Sequence, residues 1–252
     1  MTLLLARDLA INFGGIKAVD GITFDVTPGE IFTIIGPNGA GKTTIFNLIS
    51  RIYNTSAGRL VFDGDDITHT PPHQIAGRGI ARTFQNVELF EHATLLQNML
   101  LGQHAHRKTR VWEELLFLPR VRVAERHIRR RVEEVIEFLD LQRYRDAPVR
   151  DLPYGVRKVI ELARALCTQP KLILLDEPSS GLNVEETEDL SFWIRDLRDD
   201  LGITVVMVEH DLALVNDVSD RVMAVNSGRL LTIGTPAEVQ SHPDVVKAYL
   251  GG

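Results

Sequence analysis

Nine consecutive residues, Gly36 to Thr44, have the types and spacing of a phosphate-binding loop. Their sequence, G-P-N-G-A-G-K-T-T, contains a glycine, four residues, a second glycine, a lysine and a hydroxyl residue. Glycines let such a loop curl so that several backbone N–H groups point into one concavity and hold anionic oxygens. Lys42 can then reach the β- and γ-phosphates of a nucleotide, and the Thr43 hydroxyl suits Mg²⁺. The predicted phosphate site consists of Gly36, Pro37, Asn38, Gly39, Ala40, Gly41, Lys42, Thr43 and Thr44.

The segments on either side of this loop favour the same interpretation. The apolar run Ile31 to Ile35 has the length and composition of a buried strand. The segment Thr43 to Arg51 is predicted to be a helix, because apolar residues recur at helical spacing at Ile45, Leu48, Ile49 and Ile52. Since a strand precedes the loop and a helix follows it, a glycine-rich turn with an exposed lysine is the weaker alternative.

Two adjacent carboxylates end a second predicted strand. Leu172 to Leu175 are four apolar residues, and Asp176 and Glu177 follow them. This is the form of a Walker B motif, whose aspartate helps to hold Mg²⁺. Because side chains alternate along a strand, the two carboxylates point to opposite sides. We therefore predict that Asp176 holds the metal and Glu177 acts on the attacking water, and we disfavour the alternative of a turn with helix-capping acids.

A histidine follows a third predicted strand. Thr204 to Val208 are apolar or β-branched, and Glu209 and His210 come directly after them. Ligands of a parallel α/β sheet sit outside the carboxyl ends of its strands, so His210 is predicted to contact the γ-phosphate. Taken alone, a histidine at a strand end is more often a polar residue without a catalytic role. His104 and His106 form no convincing set of metal ligands.

The elements that position these residues can also be predicted. Residues 3–33 alternate as strands, and the segment Val222 to Ile233 resembles a hairpin around an Asn-Ser-Gly turn. Residues 107–141 become basic and then helical, with one apolar face at Ile128, Val132, Val135, Ile136 and Leu139. This change in composition predicts a mostly helical subdomain at about residues 87–155. Residues 236–252 are predicted to form a short terminal helix.

Composition restricts the class of protein. The chain has 252 residues, a net charge of −6 and a pI near 5.8, which argue weakly against nucleic acid as the main partner. The single cysteine, Cys167, allows no internal disulfide and suits a reducing compartment. Arg7 and Asp8 interrupt the first apolar stretch, so we expect no signal peptide. No apolar run approaches the roughly 20 residues that span a bilayer, so other chains would supply any membrane-spanning part.

At this point the chain resembles the nucleotide-binding subunits of ABC transporters over nearly its whole length. The resemblance rests on motifs that occur in the family's order: the aromatic Phe13, the loop Gly36 to Thr44, Gln85 as the Q-loop, Leu152 to Val156 as the signature, Leu172 to Glu177 as Walker B, Ser179 to Asn183 as the D-loop, and His210 as the switch histidine. Within this family it is most similar to the ATPase subunits of branched-chain amino acid importers. That narrower match rests on Gly79 to Asn86, Tyr154 and Pro243 to Gly251.

The resemblance implies a fold and a set of roles. The fold is α/β: a P-loop NTPase (RecA-like) parallel-sheet core, formed by residues 1–86 and 156–252 of one domain, with an N-terminal antiparallel β subdomain and a helical signature subdomain. The cofactors are ATP and Mg²⁺, and Lys42, Glu177 and His210 are the catalytic residues. Gln85 would help Thr43 and Asp176 to hold the metal. On its own, Phe13 beside two glycines is more often a core anchor, but the resemblance implies that it stacks on adenine.

The resemblance also implies partners and a location. A second identical or similar cassette would face this one head to tail, so that Tyr154 and Gly155 of one chain close over ATP on the other. Transmembrane permease subunits would bind the pair at the cytoplasmic face of the membrane, and a substrate-binding protein would act indirectly. The signature departs from the family pattern, because Pro153 replaces the usual serine and Val156 the usual glutamine. This departure puts the phosphate contact from position 153 in doubt.

Three alternatives remain open from the sequence. The same cassette could serve an exporter or a lipid-transport system. A soluble ABC-type ATPase acting on DNA, ribosomes or metal-cluster assembly would favour two cassettes, a coiled-coil or zinc-bearing insertion, or a basic face. A non-hydrolytic binding module is disfavoured by the presence of Lys42, Asp176 and Glu177.

Overall fold

The computed structural model describes residues 1–83, 89–102 and 119–250. Gln85 lies outside the described residues, so its predicted role stays a prediction. The strands are β1 Leu4–Phe13, β2 Ile16–Val26, β3 Ile31–Ile35, β4 Ala57–Phe62, β5 Asp65–Asp66, β6 Ile80–Arg82, β7 Leu172–Asp176, β8 Thr204–Val208, β9 Arg221–Asn226 and β10 Arg229–Gly234.

The helices follow the same chain order. They are α1 Lys42–Ile49, α2 Pro72–Ile75, α3 Leu95–Gly102, α4 Pro119–Phe138, α5 Tyr154–Leu166, α6 Val184–Asp199, α7 Leu212–Val218, α8 Pro236–Ser241 and α9 Pro243–Leu250. Short 3₁₀ helices occur at Ala76–Arg78, Gln142–Tyr144 and Val149–Asp151. None of these helices, within the described parts of the chain, is long and apolar enough to cross a membrane.

The core is a six-stranded sheet in the order β10-β9-β3-β8-β7-β6. β6, β7, β8, β3 and β9 run parallel, and β10 pairs antiparallel with β9 as the predicted hairpin. Every residue of β3, β7 and β8 is buried, as expected for strands covered on both faces. Because β3, β8 and β7 are neighbours, their carboxyl ends meet at one edge of the sheet. The predicted parallel α/β core is confirmed.

A second sheet precedes the core and supports one side of it. Its four strands pair in the order β2-β1-β4-β5, all antiparallel, which confirms the predicted N-terminal β subdomain. Buried residues of this sheet, such as Leu9 and Phe62, share one apolar cluster with α1 and β3. This packing brings the start of β2 next to the loop between β3 and α1: the carbonyl oxygen of Ala18 lies 2.6 Å from where a Cβ on Gly41 would be.

The helical predictions hold with two corrections. On α4 the residues Val132, Val135 and Ile136 are buried, as is Leu139 directly after the helix, and Ile128 is half-buried, which confirms the apolar face. α1 ends at Ile49 rather than Arg51, because Arg51 has a φ of +61° and turns the chain; Ile52 is consequently 47% exposed. The prediction of a single terminal helix is wrong: α8 ends at Ser241, the backbone of His242 is extended, and α9 begins at Pro243.

Candidate functional site

A cavity of about 460 Å³ lies at the carboxyl edge of the core sheet. Its wall brings the loop after β3 together with Glu177, which follows β7, and with parts of β2 and of the β9–β10 turn. The lining residues that the sequence predicted are Asn38, Gly39, Ala40, Gly41, Lys42, Thr43, Thr44 and Glu177. Phosphate-binding and carboxylate residues that are far apart in the chain therefore share one concave surface.

The loop is built for close approach of backbone to ligand. Gly36 is buried, and a Cβ there would lie 2.3 Å from the carbonyl oxygen of Val225. Gly41 has a φ of +101°, a conformation that favours glycine, and it is the N-cap of α1. Among the described residues no side chain caps α1, so the first N–H groups of this helix can bind an anion. The loop thus presents polar backbone donors to the cavity.

Lys42 is 6% exposed and folds back on its own loop. Its Nζ donates to the carbonyl oxygens of Gly36 at 2.7 Å and Pro37 at 3.1 Å. Burial lowers the pKa of Lys42, and the charges of Glu177 and Asp176 act in the opposite direction. The ammonium group therefore lies inside the loop, close to two carboxylates.

Asp176 ends β7 and is 3% exposed. Its Oδ2 accepts a hydrogen bond from Nη2 of Arg82 at 2.8 Å. Burial raises the pKa of Asp176, and the Arg82 guanidinium partly offsets this shift. Oδ1 of Asp176 is also buried and has no hydrogen-bond partner among the described residues. An unpartnered carboxylate oxygen, near a loop whose Thr43 hydroxyl side chain is exposed, is a donor set that fits Mg²⁺.

Arg82 is a residue to which the sequence analysis assigned no role. It ends β6, opposite Leu174 of β7, and its side chain is only 10% exposed. Nη1 of Arg82 donates to Oδ1 of Asn47 at 2.6 Å and to Oγ of Ser50 at 2.9 Å. Arg82 therefore ties the carboxylate of Asp176 to the far end of α1. In the sequence, Arg82 is marked only as a cation that follows two apolar strand residues. The register of the strands is needed to identify Asp176 as its partner.

The other predicted residues lie around this cavity rather than in it. His210 is exposed, and its Nδ1 lies 3.7 Å from Oε2 of the neighbouring Glu209. Phe13, at the end of β1, is 45% exposed, and its ring meets the Tyr53 ring edge-on at a centroid distance of 5.2 Å. The ring therefore lies at the surface rather than in the core, and its stacking on adenine stays a prediction. Neither Phe13 nor His210 lines the cavity of the phosphate-binding loop.

The signature residues face another part of the molecule. Pro153 precedes α5 and offers no side-chain cap, and Tyr154 begins the helix. Pro153 and Gly155 line a second cavity of about 660 Å³ beside α6, which reaches Asp176 but includes none of the residues of the phosphate-binding loop. A Cβ on Gly155 would lie 2.2 Å from Oε1 of Glu186 on α6. Within one chain, the signature is thus separate from the phosphate-binding loop.

Comparisons with known proteins agree with this geometry. A family model described as "ABC transporter" matches residues 19–180, more than half of the chain. A second model, described as "Branched-chain amino acid ATP-binding cassette transporter", matches residues 229–252.

Individual relatives match over nearly the whole chain. The high-affinity branched-chain amino acid transport ATP-binding proteins BraF of Pseudomonas aeruginosa and LivG of Escherichia coli are each 39% identical, over 99% of this chain and 98% of theirs. Among solved structures, a nucleotide-free ATP-binding cassette from an ABC transporter superposes with a TM-score of 0.87 at 30% identity, covering 100% of both chains. The ADP conformation of the cassette MJ1267 superposes with a TM-score of 0.86, at the same identity and coverage.

Proposed function

This chain belongs to the ABC transporter family as an ATP-binding cassette and is an ATPase, and we propose that it energises uptake of branched-chain or other hydrophobic amino acids. The observation that carries the proposal is the 39% identity, over 99% of this chain, to two cassettes named for high-affinity branched-chain amino acid transport. The match of residues 229–252 to the branched-chain cassette model supports the same substrate class from a separate part of the chain.

The cavity of the phosphate-binding loop supports the proposed chemistry. Backbone N–H groups at the start of α1 bind the phosphates, and Lys42 moves from the loop carbonyls to the β- and γ-phosphate oxygens. Thr43 and Asp176 hold Mg²⁺, with Gln85 as the third predicted ligand; when bound, the metal neutralises charge on the β- and γ-phosphates. Glu177 accepts the proton of the attacking water.

The separation of the signature from the loop supports a site shared by two cassettes. We assign Tyr154 and Gly155 to the γ-phosphate of a second chain, where the start of α5 supplies further N–H groups. His210 steadies the γ-phosphate, and the exposed ring of Phe13 stacks on adenine. Binding of ATP closes the head-to-tail pair, and hydrolysis reopens it.

The closure is transmitted to other proteins. We assign the contact with transmembrane permease subunits to the predicted helical subdomain of a single domain, at about residues 87–155, and to the residues near its start, 85–90. The chain then lies at the cytoplasmic face of the membrane, and a substrate-binding protein delivers the amino acid from the other side. The names of the relatives, which are transport ATP-binding proteins, support this arrangement.

Reconstitution tests the proposed function. The native complex containing this chain is purified, its membrane subunits are identified, and it is reconstituted in liposomes with MgATP at the cassette face. We expect ATP-dependent accumulation of labelled leucine, isoleucine or valine, and no accumulation of labelled glutamate. Movement of lipid, or export of the amino acid from the cassette face, would contradict the proposal.

Pro153→Ser should strengthen closure. The serine hydroxyl adds a donor at the N-cap of α5, where the proline has neither a hydroxyl nor an N–H. One added hydrogen bond contributes about 0.5–1.5 kcal/mol, so we expect ATP-dependent pairing to rise about 2- to 10-fold, with a parallel rise in ATPase rate. Pro148→Ser, at the N-cap of the 3₁₀ helix Val149–Asp151, is the matched control. Unchanged pairing and ATPase rate in Pro153→Ser would contradict the prediction that a hydroxyl at position 153 strengthens closure.

A further inference from the structure

A fully buried carboxylate connects two loops of the site. Glu209, between β8 and His210, is 0% exposed. Its Oε1 accepts a hydrogen bond from the backbone N–H of Ser179 at 2.9 Å. Its Oε2 accepts from the backbone N–H groups of His210 at 2.7 Å and Asp211 at 3.1 Å. Since Ser179 lies two residues after Glu177, one side chain joins the loop of the proposed base to the loop of the proposed switch histidine.

A half-buried cation also binds this loop. Nζ of Lys158, on the second turn of α5, donates to the carbonyl oxygens of Glu177 at 3.1 Å and Pro178 at 3.2 Å. Burial lowers the pKa of Lys158, and the negative charge of Glu209 is the strongest of the influences that oppose this shift. Lys158 and Glu209 therefore bind successive backbone groups of one loop: Lys158 binds the carbonyls of Glu177 and Pro178, and Glu209 binds the N–H of Ser179.

The backbone that these two residues hold is strained. Glu177 has a φ of +48°, a left-handed conformation that is uncommon for residues other than glycine. Such conformations persist where the surroundings determine them. Here the N–H of Glu177 donates to the carbonyl oxygen of Val208 at 2.9 Å, and its own carbonyl accepts from Lys158. The turn at Glu177 directs its side chain into the cavity that the phosphate-binding loop lines.

Burying the Glu209 carboxylate costs more free energy than a neutral group that satisfied the same loop would. An ionised carboxylate without access to water is costly unless hydrogen bonds and an opposite charge compensate it. The N–H of Ser179 could be satisfied by a neutral hydroxyl or by water at lower cost. Lys158 and Glu209 instead bind the backbone on both sides of this turn and at His210 through hydrogen bonds to charged groups, which are stronger than those between neutral groups.

We propose that Lys158 and Glu209 are positioning residues which form a backbone clamp on Glu177, Pro178 and Ser179 and thereby aim the Glu177 carboxylate at the attacking water. The proposal rests on the proposed role of Glu177 as base. It also gives the signature helix a mechanical link to the base of its own chain, because Lys158 belongs to the same helix as Tyr154 and Gly155.

Steady-state kinetics of the full chain, in its assembled and active form, test the clamp. Glu209→Gln keeps the shape of the side chain but leaves only one oxygen that can accept, and Lys158→Met removes the donor. We expect each to lower kcat about 10- to 10²-fold, with the KM for ATP within about twofold of the parent, because a misplaced base slows chemistry without changing nucleotide binding. Lys158→Arg, which keeps a cationic donor, should restore most of the rate.

Two controls separate the clamp from general stability. Glu238→Gln removes a carboxylate that accepts from the N–H and hydroxyl of Thr235 at the start of α8; neither residue lines the cavity of the phosphate-binding loop, so kcat should be unchanged. Arg164→Met removes a cation from the same helix as Lys158, one that is paired with Glu161, and should do the same. Urea midpoints of all variants identify any that fail to fold. In that case the rate of Lys158→Arg, which should be close to that of the parent, decides whether the clamp exists.

A double-mutant comparison distinguishes the clamp from the proposed function. In a Glu177→Gln background, Lys158→Met and Glu209→Gln should change the residual rate by less than about twofold, since residues that act through one group are not additive. Equal losses with and without Glu177 would overturn the clamp, as would an unchanged kcat in both single variants. A Glu177→Gln variant that hydrolyses ATP at the parent rate would instead overturn the proposed role of Glu177 as base.

Discussion

Glu177→Gln should lower the rate of ATP hydrolysis by about 10²–10⁴-fold, the usual cost of losing a general base. The carboxylate lines the cavity of the phosphate-binding loop, where we propose that it accepts the proton of the attacking water. Glutamine has nearly the same volume but cannot accept a proton at neutral pH, and the loop that binds phosphate is unchanged. MgATP should therefore still bind, and the closed pair of cassettes should accumulate because it no longer turns over.

Single-turnover hydrolysis and nucleotide binding check this prediction separately. The matched control is Glu188→Gln, which removes an exposed carboxylate on α6 and should keep the parent rate. A Glu177→Gln variant that loses ATP binding would assign Glu177 to nucleotide binding rather than to chemistry. Parent-level hydrolysis in that variant would remove its role altogether.

Arg82→Met should destabilise the metal-free protein by about 3–5 kcal/mol, the usual cost of breaking a buried ion pair from one side. Arg82 and Asp176 are almost completely buried, and their 2.8 Å contact is reinforced by the bonds from Arg82 to Asn47 and Ser50. The methionine fills similar space but leaves the carboxylate of Asp176 without its cation. Urea unfolding in the presence of a chelator measures the loss.

An exposed ion pair provides the control for Arg82. Arg78 contacts Asp65 at 2.9 Å, but both side chains are largely exposed, so Arg78→Met should cost no more than about 1 kcal/mol. Adding Asp176→Asn to Arg82→Met should recover much of the stability, because no buried charge then remains. Similar losses for Arg78→Met and Arg82→Met would show that burial does not matter at this pair.

The stability of Arg82→Met should also depend on pH, in a direction that the pKa of Asp176 sets. Burial already raises the pKa of Asp176, and loss of the Arg82 cation raises it further. The folded state then binds more protons than the unfolded state between the ordinary pKa of aspartate and the raised pKa. Stability of Arg82→Met should therefore fall as the pH rises through that window, more steeply than for the parent.

The parts of the site that the sequence predicts are those coded locally. Local sequence, within about ten residues, predicts the strand before Gly36, the loop itself and the strand before Asp176. All three form as expected. Arg82, Lys158 and Glu209 have no such signal, because their partners lie far away in the chain. Arg82 meets Asp176 across 94 positions, and Glu209 meets Ser179 across 30. Only the register and packing of the strands bring these groups together.

The exposure of aromatic side chains was equally hard to predict from the sequence. Phe13 has the apolar character of a core residue, yet its ring is 45% exposed, and Tyr154 is 40% exposed. The residues next to an aromatic side chain at a turn do not indicate whether that side chain is buried or exposed. The end of α1 was misplaced for a related reason: Ile52 fits the helical period, but the left-handed turn at Arg51 overrides it.

The most direct test of the account is the ATPase rate of the chain measured together with its mass in solution. We predict that hydrolysis occurs only in fractions where the 28.2 kDa chain is paired with itself or with a similar cassette, and that it disappears on dilution to the monomer. Full-rate hydrolysis by a chain that stays monomeric throughout turnover would contradict the shared site, because the signature of a single chain does not line its own phosphate-binding cavity.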